Sequence, residues 1–292
     1  MFEASASPYL VPYDGSFKVA AAPTKKPEGA PKKKQAKKQL KAIIAELSEL
    51  QKMLYAYDKY AVLCVFQAMD AAGKDGTIRA VTTGINPAGF QVHSFKQPSA
   101  EELDHDFLWR TSIGLPERGR IGVFNRSYYE EVLVVKVHPG ILNNQRLPEL
   151  DNQNDIWASR YESIRNHEKH LAQNGIIVLK FWLNVSKDEQ KQRFLARLDE
   201  PEKNWKFSKS DVEERAYWDD YMTAYEDAIK ATSRPWAPWY AIPADSKSYM
   251  RLQVASILAD NLKRLHISYP TVKPETKAMF AEMRDFLTKE DR

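Results

Sequence analysis

Ala61–Gly76 reads AVLCVFQAMDAAGKDG. Val62–Phe66 is an unbroken apolar run, the pattern of a strand buried on both faces. It empties into a loop of small residues that ends in Gly73-Lys74. A strand feeding such a turn and then a helix aims backbone N–H groups and the positive helix end at one point, which suits phosphate oxygens. Two positions depart from the phosphate-loop pattern G-x-x-x-x-G-K-[ST]. Ala68 replaces the first glycine, and Asp75 replaces the hydroxyl that would hold a metal. Lys74 is the expected point charge for the terminal phosphates. Asp70, inside the loop, would be repelled by phosphate unless a cation lay between them. Mg²⁺ binds through one or two carboxylates plus phosphate oxygens, so Asp70 is the predicted metal ligand and Asp75 the predicted helix cap. For the motif alone, a plain strand-to-helix turn with an exposed lysine is the competing reading.

The pattern continues outward. Leu40, Ile43, Ile44, Leu47, Leu50, Met53, Leu54 and Tyr57 recur at helical spacing before the loop, and Gly73–Thr83 is the helix that opens on it. Strands are predicted at Phe90–Phe95, Ile121–Phe124, Ile176–Leu183 and around Trp239–Asp245. Capping boxes at Ser99–Glu102 and Ser186–Glu189 start two helices. A helix over about 155–173 stops at Asn174-Gly175, and another is predicted from a cap at Ser210. Apolar strands alternating with helices predict an α/β fold with a parallel sheet covered by helices on both faces.

Of the 292 residues, 43% are hydrophobic, enough for a sizeable core, and no apolar run is long enough to span a membrane. Met1-Phe2-Glu3 lacks the layout of a secretion signal. The single cysteine, Cys64, excludes an intrachain disulfide and fits a reducing cytoplasm. The net charge of +4 is uneven: Lys18–Lys41 holds nine lysines and one acid, leaving the rest of the chain net negative. The body is therefore not a basic, nucleic-acid-binding surface. The lysine-rich stretch is either a solvated arm or one that guides a polyanion toward the body. Residues 1–31 are expected to be an extended or mobile arm, 32–266 the folded domain, and 267–292 a partly helical tail.

GVFNRSYYEE closes the third strand, and ligands of such sheets bind at the carboxyl ends of strands. Asn125, Arg126, Glu130 and Glu131 should therefore lie near Lys74, with Arg126 clamping phosphate and a Glu positioning metal. A surface Arg–Glu pair is the alternative. Ala71, Ala72, Gly73, Gly76 and Arg79 complete the expected phosphate cradle. In KNWKFSKSDVEER, Lys203, Lys206, Lys209 and Arg215 surround Trp205 and Phe207, a design for a basic lid at about 200–220. Glu202, Asp211, Glu213 and Glu214 balance those charges and leave open a merely solvated face. His167-Glu168-Lys169-His170 lacks the H-E-x-x-H spacing of zinc proteases, so its histidines are read as packing or surface residues.

AMDAAGKDGTIRAV, NPAGFQVHSFKQPSAEELDHDFLWR, GVFNRSYYEEVLVVKVHP, FSKSDVEERAYWDDY and APWYAIPADSKSYMR, in this order, resemble the polyphosphate kinase 2 family over about residues 40–265. The resemblance implies a three-layer P-loop kinase fold similar to thymidylate kinase, with a helical lid. It implies Mg²⁺-dependent phosphoryl transfer, with Mn²⁺ as the alternative ion, between inorganic polyphosphate and AMP or ADP, with GDP as a further acceptor. Asp70 and Glu130 then hold the metal, and Lys74, Asn125 and Arg126 bind phosphate. Tyr128 and Asp75 depart from the usual motifs. The FNRS-x-YE form resembles the subgroup acting on both AMP and ADP. A homo-oligomer is expected, with no membrane and no specific nucleic-acid partner. The rival readings are an ATP-dependent nucleotide kinase and a nucleic-acid-binding module with a degenerate phosphate loop.

Overall fold

The computed structural model describes residues 2–148 and 153–290. Five strands, β1 (Ala61–Gln67), β2 (Phe90–Ser94), β3 (Ile121–Asn125), β4 (Ile176–Asn184) and β5 (Trp239–Pro243), form one parallel sheet in the order β2-β3-β1-β4-β5. The early helices are α1 (Lys33–Tyr57), α2 (Lys74–Thr82), α3 (Ala100–Leu103), α4 (Trp109–Ser112), α5 (Val134–Val137) and α6 (Gln153–Gln173). They are followed by α7 (Lys187–Asp199), α8 (Lys209–Glu213), α9 (Trp218–Thr232), α10 (Lys247–Lys263) and α11 (Pro274–Glu290).

Every residue of β1 is buried, as its apolar run requires for a central strand. Alternation along the strands sends side chains to two helical layers. Cys64, Phe66 and Phe181 point toward Ile78 and Val81 of α2 and Val254 and Leu258 of α10. Lys180, one residue before Phe181, points the other way, to Glu168 of α6 and the Thr232 carbonyl of α9. The α1 helix packs outside α10. Gln51 of α1 approaches Gly89 so closely that an added Cβ would sit 1.6 Å from its amide nitrogen, so a side chain there would have to displace the buried Gln51 amide. Cys64 is buried and free, with its thiol pushed up to about 12 by burial.

Residues 2–31 run as a strap around this body. The Val11 N–H donates to the Trp239 carbonyl and the Ala241 N–H to the Tyr9 carbonyl, both at 2.9 Å, so Leu10 pairs antiparallel with the outer edge of β5. Tyr9, Val11 and Phe17 are buried, and Phe17 meets Trp182 edge-on. The strap covers a sheet edge that would otherwise offer unpaired backbone groups.

Two expected helix starts differ. The Ser99–Glu102 box is complete, with both reciprocal bonds present. At Ser186 only half forms: its hydroxyl accepts from the Glu189 N–H, but its own N–H donates to Asp245, and Glu189 turns to pair with Arg193. No helix starts from a cap at Ser210. α8 begins at Lys209, and the Ser208 and Ser210 hydroxyls bond each other at 2.7 Å instead of capping backbone. The helical rod is also broken by a 3₁₀ turn over Glu214–Tyr217 before α9.

Candidate active site

The parallel register brings the carboxyl ends of β1, β3, β4 and β5 to one rim. Gly73 turns the chain into α2 with φ of +107°, a conformation that suits glycine. Ala71 is held at φ +59°, also left-handed, at a cost of about 1–2 kcal/mol. Surrounding bonds impose this shape. Arg193 of α7 donates to the Ala71 carbonyl at 3.1 Å and the Ala72 carbonyl at 2.5 Å, and its other amino group donates to the Ala244 carbonyl at 2.6 Å. Gln190 donates to the Asp70 carbonyl at 2.9 Å. With the Ala72 carbonyl drawn back, the planar peptide aims the Gly73 N–H the opposite way. Among the described residues, the N–H groups of Gly73, Lys74, Asp75 and Gly76 have no backbone acceptor, which leaves the start of α2 a row of free donors.

Lys74 curls over the loop and donates to the Ala68 carbonyl at 2.7 Å. Burial, then nearby Arg126, lowers its pKa, while Asp70, Glu130 and Asp75 oppose the shift. Arg126, also left-handed at φ +63°, reaches between the two predicted metal acids. It donates to Asp70 at 2.8 Å and to Glu130 at 3.1 Å, and Glu130 is the leading cause of its raised pKa. With its amide turned to satisfy both neighbours, Gln67 donates to Glu130 at 2.8 Å and accepts from the Ser127 N–H. Asp75 does not cap α2: its carboxylate accepts from Asn125 at 2.7 Å, tying the loop to the end of β3.

Two clefts meet at Arg126. One is an open trough of about 590 Å³, carrying the loop on one side and Arg79, Lys203, Lys206, Lys247 and Arg251 around it. The other, about 520 Å³, is largely apolar, with Phe95, Leu103 and Val134 in its wall and Arg110 and Lys96 beside them. Arg110 is buried and donates to the Lys96 carbonyl at 2.7 Å, which fixes it in place. The size and lining of this pocket suit a small organic ligand with an anionic end.

Behind the site, a buried network anchors the segment after Arg126. Lys180 donates to Glu168 at 2.6 Å, and the Tyr128 and Tyr129 hydroxyls donate to the other Glu168 oxygen at 2.9 and 2.8 Å. Burial lowers Lys180 to about 8 and raises Glu168, each against the attraction of its partner.

A family model for polyphosphate kinase 2 matches residues 30–270. The chain is 58% identical over 251 residues to an ADP-polyphosphate phosphotransferase of Rhodopseudomonas palustris, covering 86% of this chain and 87% of that protein. It is 48% identical over 230 residues to an AMP/ADP-polyphosphate phosphotransferase of Meiothermus ruber, covering 79% and 81%. The crystal structure of polyphosphate kinase 2 from Arthrobacter aurescens TC1 superposes with a TM-score of 0.86 at 37% identity, covering 97% of this chain and 99% of that one. The chain belongs to the polyphosphate kinase 2 family.

Within this polyphosphate kinase 2 fold, the site gathers most of the residues singled out in the sequence. Asp70, Ala71, Gly73, Lys74, Gly76, Arg79, Asn125, Arg126, Lys203 and Lys206 all border the trough, and Glu130 lines the apolar pocket next to it, bonded to Arg126. Lys209 does not: it is exposed and pairs with Glu213. Arg215 faces the back of the loop, donating to the Lys187 carbonyl at 3.1 Å and to Gln190. Glu131 turns away to a buried pair with Arg160. His167 packs edge-on against Tyr128. The sequence reading passed over Gln190, Arg193, Lys247 and Arg251. Lys247 and Arg251 were legible in principle, as cations four apart opening the helix after the last strand. Gln190 and Arg193 were not, because they act on backbone carbonyls distant in sequence. Asp211 was read as a balancing charge. The α8 segment carries it to within reach of Arg197 at 3.1 Å, and its pKa is raised by burial and then by Asp70.

Proposed function

We propose that this chain transfers phosphoryl groups between inorganic polyphosphate and AMP or ADP, with GDP as a further acceptor. The carrying observation is that Arg126 lines both the cationic trough and the apolar pocket. A linear polyanion fits the first and a nucleoside phosphate the second, so the reacting phosphates meet at Lys74 and Arg126. The printed names of the relatives support the same substrates.

In the forward direction an acceptor phosphate oxygen attacks the terminal phosphorus of polyphosphate in line. A P–O bond forms to the acceptor as the bridging P–O bond breaks. The leaving group is polyphosphate shortened by one unit, and it keeps the bonding electron pair. The acceptor is already anionic near neutral pH, so no dedicated base is required. Lys74, Arg126 and the free N–H groups of α2 stabilise charge on the transferring group. Among the described residues no cluster of three or more His, Cys, Asp or Glu could cage a metal. A pair of carboxylates completed by phosphate oxygens suits Mg²⁺, with Mn²⁺ as the alternative, so Asp70 and Glu130 would hold it. When bound, that ion would neutralise phosphate charge.

For chain organisation, the reading takes 32–266 as the kinase domain with its lid at about 200–220, 1–31 as the arm, and 267–292 as the tail. No helix among the described residues is long and apolar enough to cross a membrane, and the reading places the enzyme in the cytoplasm with its nucleotide substrates. We further propose a homo-oligomer, supported by the exposed stripe of Met279, Phe280, Met283, Phe286 and Leu287 along α11.

The test is purified chain with Mg²⁺, polyphosphate and AMP or ADP, with nucleotide products resolved. Lys74→Ala and Asp70→Asn should each lower turnover by about a hundredfold or more with unchanged melting. Near-normal activity in either variant would refute the loop assignment. Turnover with ATP as donor but not polyphosphate would favour the nucleotide-kinase reading.

A further inference from the structure

We propose that the lysines between Lys25 and Lys41 form an outer track for the distal part of long polyphosphate chains, beyond the trough; this rests on the function proposed above. The strap does not lie at random. Asn184 donates to the Ala22 carbonyl at 3.0 Å, and the Asp245 N–H donates to the Thr24 carbonyl at 3.0 Å. It therefore crosses the carboxyl ends of β4 and β5, where the trough opens, immediately before Lys25 and Lys26. Pro27–Pro31 then lie along α10 beside Tyr249 and Leu252.

The α1 helix runs parallel to α10. Gln39 and Ile43 border the same groove as Leu252 and Ser256, and Glu46 pairs with Lys263 at 2.8 Å. Both helices thus begin at the same end of the molecule. The first turns of α10 carry Lys247 and Arg251, which line the trough. The first turns of α1 carry Lys33, Lys34, Lys37, Lys38 and Lys41 on the adjoining surface, spanning about 12 Å at 1.5 Å per residue. The lysine tract begins where the trough ends.

The charge is uncompensated. Lys18 pairs with Glu226, but among the described residues none of the lysines from Lys25 to Lys41 is in an ion pair, and all are exposed. The first turn of α1 holds no acid. Cations there oppose the positive helix end, and Lys33–Lys37, Lys34–Lys38 and Lys37–Lys41 are like charges four apart, each of which weakens the helix. Only Ala36 in this tract is buried, so packing does not demand lysine at the other positions. A polyanion laid along them would turn mutual repulsion into attraction.

The test is Lys33→Gln/Lys34→Gln/Lys37→Gln/Lys38→Gln, which keeps helix-forming side chains and touches no residue of the chemical site. Steady-state constants are measured with short-chain and long-chain polyphosphate at low and high salt. The expected result is a KM for long chains raised about three- to tenfold at low salt, closing as salt rises. The kcat and the short-chain KM should stay unchanged, with melting equal to or above wild type. A long-chain KM that does not move, or a rise equal for short and long chains, would overturn the track. Loss of binding to anionic vesicles with an unmoved long-chain KM would assign the lysines to a membrane surface instead. A wild-type chain that does not turn over polyphosphate would refute the reading beneath; turnover with unaltered length dependence in the variant would refute the track alone.

Discussion

Lys180→Met should destabilise the protein far more than the loss of one surface charge. Lys180 is fully buried, and its three donors are filled by Glu168 at 2.6 Å, Tyr129 at 2.9 Å and the Thr232 carbonyl at 2.9 Å. Methionine matches its bulk but leaves a buried carboxylate without a counter-charge and a carbonyl without a donor. Breaking such a pair costs about 3–5 kcal/mol. At about 2–4 °C per kcal/mol for a domain of this size, the melting temperature should fall by about 10 °C. The pH dependence has a definite sign. Burial already raises Glu168, and the variant removes the cation that opposed the rise. A folded-state pKa above the unfolded value means the folded variant binds a proton that the unfolded chain releases. Its deficit is then fullest above that raised pKa and shrinks as pH falls toward the ordinary glutamate value of about 4.3. Thermal melts of both proteins, near neutral and in mild acid, read this directly. Lys180→Met/Glu168→Gln should recover a large part of the loss, since a neutral amide still accepts from both tyrosines. A Lys180→Met protein within about 1 kcal/mol of wild type, or an equal deficit at both pH values, would refute the account.

Two further outcomes follow from the site. Lys206→Ala should raise the KM for polyphosphate about three- to fivefold, the equivalent of up to ~1 kcal/mol, because Lys206 borders the trough over the exposed ring of Trp205. Lys209→Ala should leave it unchanged, since Lys209 faces solvent beside Glu213; equal effects in parallel kinetics would contradict this placement. Mg²⁺ alone should shift melting little, because Arg126 already occupies Asp70 and Glu130, whereas Mg²⁺ with polyphosphate should raise it clearly. A large shift with Mg²⁺ alone would count against those two carboxylates as its ligands.

The parallel sheet was legible because each central strand is a continuous apolar run between turn residues, and β1, β3 and β4 form within one or two residues of their expected bounds. That Lys74, Asp70 and Arg126 come together was legible because the loops after parallel strands meet at the carboxyl rim of the sheet. The role of Asp75 was not. A helix entered through a left-handed glycine presents no side chain for a cap, and the nearby Asn125 offered a better partner. The serine at 210 failed as a cap for a similar local reason, the neighbouring hydroxyl of Ser208. The proline- and alanine-rich composition of residues 1–31 suits a segment that either wraps the surface or stays mobile, and composition alone does not choose between the two. The buried residues of the strap are Ala4, Ser5, Tyr9, Val11 and Phe17, and Ser5, Tyr9, Val11 and Phe17 meet partners more than one hundred and fifty positions away.

These separate details converge on how a loop without its usual hydroxyl can work. Losing the first glycine and the Ser or Thr would leave an ordinary phosphate loop both misshapen and short of a metal ligand. Here shape is imposed from outside: Arg193 and Gln190 hold the carbonyls of residues 70–72, and Ala71 accepts a strained left-handed backbone in return. That pose carries Asp70 to Arg126, whose own left-handed backbone brings Glu130 alongside. The site stores two strained residues and a three-membered charge cluster, and such strain persists only where the surroundings over-determine it. Here they do so through Gln67, Gln190, Arg193 and the buried Lys180–Glu168–tyrosine network. The acids are therefore placed by the scaffold before substrate arrives. On the proposed reading, a phosphate that drew the Arg126 guanidinium to itself would free both carboxylates for a cation.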